Sequence, residues 1–196
     1  QEISIMTKNL KPEDKDIGPG NCLMDFWVRK NSNKKFDKDG LLALGGKRNE
    51  IIFEQAQELY ANRNNKNKLS FDTNDFDISF IRGLSLEDGT ATLTDFTASI
   101  IGVELSLSLN KSKEKIENIL ICGGGRKNRV LIEKIKENLP LNINLKLIDD
   151  YEINGDFIES QAFAFLAVRS FLKLPISFPN TTGCKEPCIG GKLIKN

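Results

Sequence analysis

Three consecutive glycines directly behind an apolar segment are the clearest candidate for chemistry in this sequence. Ile119-Leu120-Ile121 is typical of a strand, and residues 122–128 ("CGGGRKN") follow it at once. Glycines at such a point let main-chain N–H groups approach an anion, and a following helix adds the positive end of its dipole. The spacing matches neither G-x-G-x-x-G nor a Walker A loop. From these residues alone, a nucleotide contact and a plain strand-to-helix turn are equally good interpretations.

Two acidic residues are further candidates. Asp16 precedes the rigid turn Gly18-Pro19-Gly20, where a carboxylate could act as a general base or bind sugar hydroxyls. Glu159 lies in the first turn of an otherwise apolar helix. Asp in turns commonly binds its own backbone, and acids in a first turn commonly serve the helix dipole. The residues alone therefore favour a structural role for both, and the Gly-rich tail (residues 181–192) is equally ambiguous.

The composition excludes several classes of site and partner. The 196 residues contain no histidine, so His-based triads and His–Cys zinc sites are excluded, and proton transfer falls to a carboxylate, lysine, thiol or water. Four cysteines without a CxxC pair predict a reduced, cytoplasmic protein with no metal site. The net charge of +1 argues against nucleic acid or an anionic membrane surface as a partner.

Hydrophobic periodicity predicts one α/β lobe. In the second half, strand, glycine turn, helix, strand and helix follow one another, which implies a parallel α/β layer. A capping box, Thr92 to Asp95, predicts a helix start, and the helix over 155–174 is apolar on more than one face, which predicts burial. The other predicted elements are an edge strand over 2–7, helices over 21–30, 50–63 and 128–139, strands over 116–121 and 143–149, and a loop over 31–49.

Six stretches, taken in order, resemble the C-terminal half of the 1,6-anhydro-N-acetylmuramic acid kinases. The stretches are "DIGPGNCLMDFW", "FDKDG", "TATLTDFTASI", "ILICGGGRKN", "GDFIESQAFAFLAVR" and "LPISFPNTTGC". No single motif is decisive, but the ordered set is specific and runs from about Ile3 to the end. The resemblance implies a ribonuclease-H-like α/β lobe of the actin and sugar-kinase type, with a mixed sheet flanked by helices. Residues 1–196 would be the C-terminal lobe of a two-lobed kinase.

The resemblance also implies a reaction and a set of site residues. Family members use ATP and Mg²⁺ to open 1,6-anhydro-N-acetylmuramic acid and phosphorylate it at O6 during cell-wall recycling, and the full-length enzyme is expected to be a homodimer. By the family's motifs, Asp16 would be the base that deprotonates water. The sugar would contact Gly18, Pro19, Gly20, Asn21 and Glu159, and the adenosine side of ATP would contact Gly123, Gly124, Gly125 and Asn128.

The chain departs from the family pattern in ways that bear on activity. Ile17 stands where the family has Thr, Ser160 where Ala is usual, and Cys184 where "TGA" ends in Ala. The sequence has no initiator Met and lacks the family's N-terminal "GxMSGTSxDG" phosphate loop. We therefore expect an incomplete chain that transfers no phosphate alone, because positioning supplies most of the catalysis of phosphoryl transfer.

Two other functions compete with this interpretation. One is a non-catalytic nucleotide-binding lobe or subunit that requires a separate N-terminal chain. The other is a dinucleotide-dependent oxidoreductase, for which Asp149 or Asp150 lies near the expected offset behind the glycines. The glycine spacing disfavours the oxidoreductase.

Overall fold

The computed structural model of the chain describes residues 2–5, 13–16, 19–63, 77–111, 115–192 and 194. These residues form a mixed α/β structure, in agreement with the predicted class. The elements, in chain order, are β1 (Glu2–Ile5), β2 (Glu13–Asp16), α1 (Cys22–Asn31), α2 (Leu41–Gly45), α3 (Glu50–Arg63), α4 (Leu86–Lys111), β3 (Asn118–Ile121), α5 (Arg129–Glu137), β4 (Asn144–Leu147), α6 (Ile158–Phe171) and α7 (Pro179–Thr182).

The strands form two pairs within the described part of the chain. β1 and β2 are antiparallel, with Glu2 opposite Asp16. β3 and β4 are parallel, and their pairing runs from Asn118 opposite Asn144 to Ile121 opposite Leu147. Because α5 connects two parallel neighbours, both strands end at the same edge. The predicted parallel layer in the second half is therefore confirmed, and the glycine turn lies at its carboxyl edge.

Helix α4 is the centre of the core. Every residue from Gly89 to Gly102 is buried, as expected for a helix surrounded by α1, α2, α3 and α5. The predicted helix start at Thr92 is wrong, because α4 begins six residues earlier, at Leu86. The Thr92 hydroxyl donates to the carbonyl of Asp88 inside the helix and accepts the N–H of Asn49. A threonine that binds back to its own helix can thus imitate a capping box in the sequence.

Helix α1 packs against α4 through the apolar face that the sequence predicts. Its buried residues are Leu23, Met24, Trp27 and Val28. The Trp27 indole N–H donates to the carbonyl of Leu86 at 3.1 Å. Gly89 lies so close to the indole ring that a Cβ there would be 2.4 Å from Nε1. Trp27 therefore joins the first turn of α4 to the helix that follows the "GPGN" turn.

Helix α6 has no buried residue, so its predicted burial is wrong. None of its residues is buried by the described part of the chain, and the side chains of Phe163 and Phe171 are 64% and 68% exposed. An apolar helix indicates that some surface must cover it, but the sequence does not indicate which surface does so. In the same described residues, no helix combines the length and the apolar character that crossing a membrane requires.

Candidate functional site

The glycine turn leads from β3 into the first turn of α5. Gly123 has a φ of +78°, a left-handed conformation that disfavours any residue with a Cβ. Residues 124–127 form one 3₁₀ turn, and Asn128 caps α5 by accepting the N–H of Leu131 at 3.0 Å. The start of α5 and the glycine backbone thus lie at the same edge, an arrangement that favours an anion.

Gly124 differs from its neighbour because no described residue requires a glycine there. Its φ lies outside the left-handed region, and a Cβ on it would meet no atom of the described residues within 4 Å. The residue is also exposed. The space in front of the turn is therefore open, which is the geometry expected where a ligand approaches main-chain atoms.

Asn128 has a structural role that the sequence analysis did not predict. Its buried carboxamide, besides capping α5, packs against Gly40. A Cβ on Gly40 would lie 2.5 Å from Oδ1 of Asn128 and 2.7 Å from a methyl carbon of Val130, and Gly40 has a φ of +79°. The contact of Asn128 with a nucleotide stays a prediction.

The segment around Gly40 packs against the helix that follows the glycine turn. Part of the predicted loop is the short helix α2, which begins one residue after Gly40. The buried Asp37 carboxylate accepts the N–H groups of Leu42 and Ala43 at 2.7 and 3.1 Å. Burial raises the pKa of Asp25 in α1, Arg29 lowers it, and the negative charge of Asp37 raises it further. The segment "FDKDG" thus packs against the helix behind "CGGG", and its Asp37 lies near enough to α1 to affect the pKa of Asp25.

The "GPGN" turn is partly within the described structure. Pro19 and Gly20 are buried, Gly20 has a φ of +54°, and the N–H of Cys22 donates to the carbonyl of Pro19 at 3.0 Å. Among the described residues, nothing donates to the buried Oδ1 of Asn21.

The two remaining residues of this motif are less defined. Asp16 is the last residue of β2, and Gly18 lies outside the described residues. The predicted roles of Asp16, Gly18, Pro19, Gly20 and Asn21 stay predictions.

Glu159 lies close in sequence to a segment that contacts the glycine turn. It is exposed in the first turn of α6. Three residues earlier, Asp156 accepts hydrogen bonds from Arg126 at 2.7 Å and from Lys127 at 2.6 Å. The start of α6 is therefore tied to the turn by ion pairs, although the contact of Glu159 with a sugar stays a prediction.

An arginine behind the glycines is the residue that sequence reasoning missed. The Arg126 guanidinium donates to both carboxylate oxygens of Asp149, from Nε at 2.6 Å and from Nη2 at 2.9 Å. This hydrogen bonding lowers the pKa of Asp149 to about 2. Both oxygens of Asp149 are thus engaged by Arg126, and Oδ2 of Asp150, the other acid at this offset, accepts the N–H of Leu147 at 3.2 Å. The glycine spacing remains the argument against an oxidoreductase. The sequence contains one indication of this ion pair: two acids, Asp149 and Asp156, follow β4 and could bind an arginine.

The cysteines and acids of the described residues form no metal-binding group. No cluster of three His, Cys, Asp or Glu side chains suited to a metal ion occurs in that part of the chain. Cys22, Cys122, Cys184 and Cys188 are all free thiols. Desolvation raises the pKa of Cys188, and the neighbouring thiol of Cys184 raises it further.

Strand, glycine turn and capped helix define a class of protein: an α/β lobe with an open, anion-compatible turn at the carboxyl edge of parallel strands. The family model for anhydro-N-acetylmuramic acid kinase matches residues 1–196, and the chain belongs to that family.

Curated relatives carry the same name. The chain is similar to the anhydro-N-acetylmuramic acid kinases of Pelagibacter ubique (55% identity over 92% of this chain and 48% of the relative) and Zymomonas mobilis (36% over 91% and 47%). A third relative, from Caulobacter vibrioides, is 35% identical over 91% of this chain and 46% of the relative. The chain thus spans about half the length of the curated relatives it matches.

Proposed function

We propose that this chain supplies the adenosine-binding and sugar-binding surfaces of an anhydro-N-acetylmuramic acid kinase. The enzyme would convert 1,6-anhydro-N-acetylmuramic acid, ATP and water to N-acetylmuramic acid 6-phosphate and ADP in cytoplasmic peptidoglycan recycling. The observation that carries the proposal is the open glycine turn at Gly124, in a chain whose whole length matches this kinase family. Residues 1–196 would be the C-terminal, ribonuclease-H-like lobe, and a second lobe with the phosphate loop would complete the cleft of a homodimeric enzyme.

In the proposed reaction, Asp16 accepts a proton from water as the water oxygen bonds to the anomeric carbon of the sugar. The bond between that carbon and O6 breaks, and its electron pair remains on O6. O6 then bonds to the γ-phosphorus of ATP as the bond to the bridging oxygen of ADP breaks. An ionised carboxylate is a competent base for this step and needs no histidine. Oδ1 of Asn21 would accept a hydrogen bond from a sugar hydroxyl.

No residue of this chain is assigned to Mg²⁺. The described residues contain no cluster of acids suited to a metal ion. Mg²⁺ commonly binds proteins through the phosphates of its nucleotide, where it neutralises their charge. It would therefore enter with ATP, and Gly123, Gly124, Gly125 and Asn128 would position the adenosine side.

Phosphate transfer from ATP to 1,6-anhydro-N-acetylmuramic acid tests the proposal. The assay compares this chain alone, the chain with a separately expressed N-terminal lobe of the family, and the same mixture with Asp16→Asn. We expect turnover only in the mixture and a loss of about 10²- to 10⁴-fold in Asp16→Asn, which is the usual contribution of a general base. Turnover that survives Asp16→Asn would refute the role of Asp16.

A non-catalytic nucleotide-binding lobe is the second candidate function. The uncovered apolar surface of α6 favours it, because such a surface commonly marks a contact with another polypeptide. The same assay separates the two functions. Nucleotide binding without turnover, in a mixture where the lobes are shown to associate, would favour the non-catalytic lobe.

A further inference from the structure

Arg126 connects three segments of the chain with one side chain. Its guanidinium is buried, with 6% of the side chain exposed. Besides its two hydrogen bonds to Asp149 at the end of β4, Nη1 donates to Asp156 at 2.7 Å and to the carbonyl of Gly123 at 2.9 Å. The guanidinium therefore binds the backbone of the glycine turn and anchors it to both acids.

Gly155 completes this arrangement from the other side. Its carbonyl accepts the N–H of Gly123 at 3.1 Å. A Cβ on Gly155 would lie 2.5 Å from Nε of Arg126, so the guanidinium packs directly on its Cα. The N–H and the C=O of Gly123 are thus both bound by this one cluster, which holds the residue in its left-handed conformation.

The described residues leave the outer side of the first two glycines uncovered. At both Gly123 and Gly124, the position of a Cβ is free of described atoms within 4 Å. A glycine backbone without packing has the largest conformational freedom of any residue. Backbone hydrogen bonds close the turn, from the N–H of Arg126 to the carbonyl of Gly123 and from the N–H of Asn128 to the carbonyl of Gly125. The contacts of the Arg126 guanidinium and of Gly155 add to them at Gly123.

The charges of the cluster cancel within it. Arg126 and Lys127 supply two positive charges, and Asp149 and Asp156 supply two negative ones, with Nζ of Lys127 2.6 Å from Asp156. Because the guanidinium fork is occupied by carboxylates, Arg126 is not free to bind a phosphate. Its effect on a nucleotide must act through the turn.

We propose that Arg126 is a positioning residue for the nucleotide: it holds the backbone of the 123–125 turn in the conformation that accepts ATP. This inference rests on the proposed function for the identity of the ligand. The conformational part, in which Arg126 orders the turn, is independent of that function and is measured separately.

The test compares Arg126→Met, Arg126→Lys and the control Arg82→Met in the full-length protein, assayed with any subunit that turnover requires. Arg82 is an exposed arginine in the turn before α4, outside the proposed site. We expect Arg126→Met to raise the KM for ATP by about tenfold, equivalent to about 1.4 kcal/mol, while the KM for the anhydro sugar stays within about twofold. Arg126→Lys should lie between, because lysine keeps the charge but lacks the fork. Arg82→Met should match the wild type.

Amide hydrogen exchange of the peptide over residues 119–128 reports on the turn without a nucleotide. Faster exchange in Arg126→Met, with the peptide over α4 unchanged, supports the ordering role. An unchanged KM for ATP together with unchanged exchange would overturn the proposal, as would an equal rise in both KM values. If the wild type binds no ATP, the proposed function fails, and the exchange result alone decides whether Arg126 orders the turn. If Arg126→Met does not fold, Arg126→Lys carries the same comparison.

Discussion

Gly40 lies against the side chain of Asn128, so close that a Cβ on Gly40 would be 2.5 Å from Oδ1. The "FDKDG" segment thereby touches the residue that caps the helix behind the glycine turn. A motif that resemblance alone marked as characteristic of the family thus has a physical reason: its final glycine leaves room for the cap.

Gly40→Ala should destabilise the protein by more than about 2 kcal/mol, because it combines a left-handed φ with a steric clash. Gly45→Ala, at the other end of α2, is the matched control. Gly45 has no left-handed φ, and its Cβ would meet only a side-chain carbon of Glu87 at 3.8 Å. Urea denaturation should show a lower midpoint of unfolding for Gly40→Ala than for the wild type. The midpoint of Gly45→Ala should be close to that of the wild type. Equal midpoints in the two variants would contradict the packing argument.

Gly124→Ala should separate ligand binding from stability. The open space and ordinary φ at Gly124 predict a thermal midpoint within about 2 °C of the wild type. If ATP approaches this backbone, the added methyl should weaken nucleotide binding at least about tenfold, as a clash of roughly 1.4 kcal/mol would. Titration calorimetry with ATP measures the affinity. Unchanged affinity in a stable variant would remove Gly124 from the nucleotide site.

The sequence predicted the local features of the site and missed the long-range ones. The apolar face of α1, the start of a helix next to Asn128 and the parallel order of β3 and β4 all follow from spacing within one or two elements. The bond from Arg126 to Asp149 joins residues 23 positions apart. It depends on where two strands end side by side, which periodicity does not specify.

The wrong predictions have equally local causes. The motif from Thr92 to Asp95 resembles a helix start, because a threonine hydroxyl satisfies a carbonyl inside a helix as readily as it caps one. For α6, the apolar composition predicts burial, yet Phe163, Phe165 and Phe171 are exposed. The composition of a helix indicates whether its surface is apolar, whereas its burial depends on which other segments pack against that surface.

Asp149 should keep its ion pair with Arg126 across the neutral range. Its pKa is lowered to about 2 in the folded protein, against roughly 3.9 for an unperturbed aspartate. For a lowered pKa, the contribution to stability is fully present above the unfolded value and is lost as the pH falls through the folded value. The free energies of unfolding of the wild type and Asp149→Asn should therefore differ by a constant amount above about pH 5. They should converge below about pH 4; a gap that widens on acidification would refute this assignment.

Asp95 should show the opposite dependence on pH. Its side chain is 12% exposed, with Arg48 and Lys134 each 3.7 Å from Oδ1. Burial raises its pKa more than Lys134 and Arg48 lower it. A raised pKa means that the folded protein favours the protonated acid, so the contribution of Asp95 is largest below roughly pH 3.9 and is lost as the pH rises through the folded pKa. Asp95→Asn cannot ionise, and should therefore gain stability relative to the wild type between pH 3 and pH 7, by on the order of 1 kcal/mol.

Asp88 in the same helix is the matched comparison for Asp95. The N–H of Lys47, which donates to its carboxylate at 2.8 Å, lowers the pKa of Asp88. Asp88→Asn should consequently lose stability relative to the wild type as the pH rises over the same interval. Urea denaturation of the three proteins at several pH values measures both differences. If the ion pairs of Asp95 with Arg48 and Lys134 outweighed its burial, the two variants would change in the same direction, and the interpretation of Asp95 as a residue dominated by desolvation would be wrong.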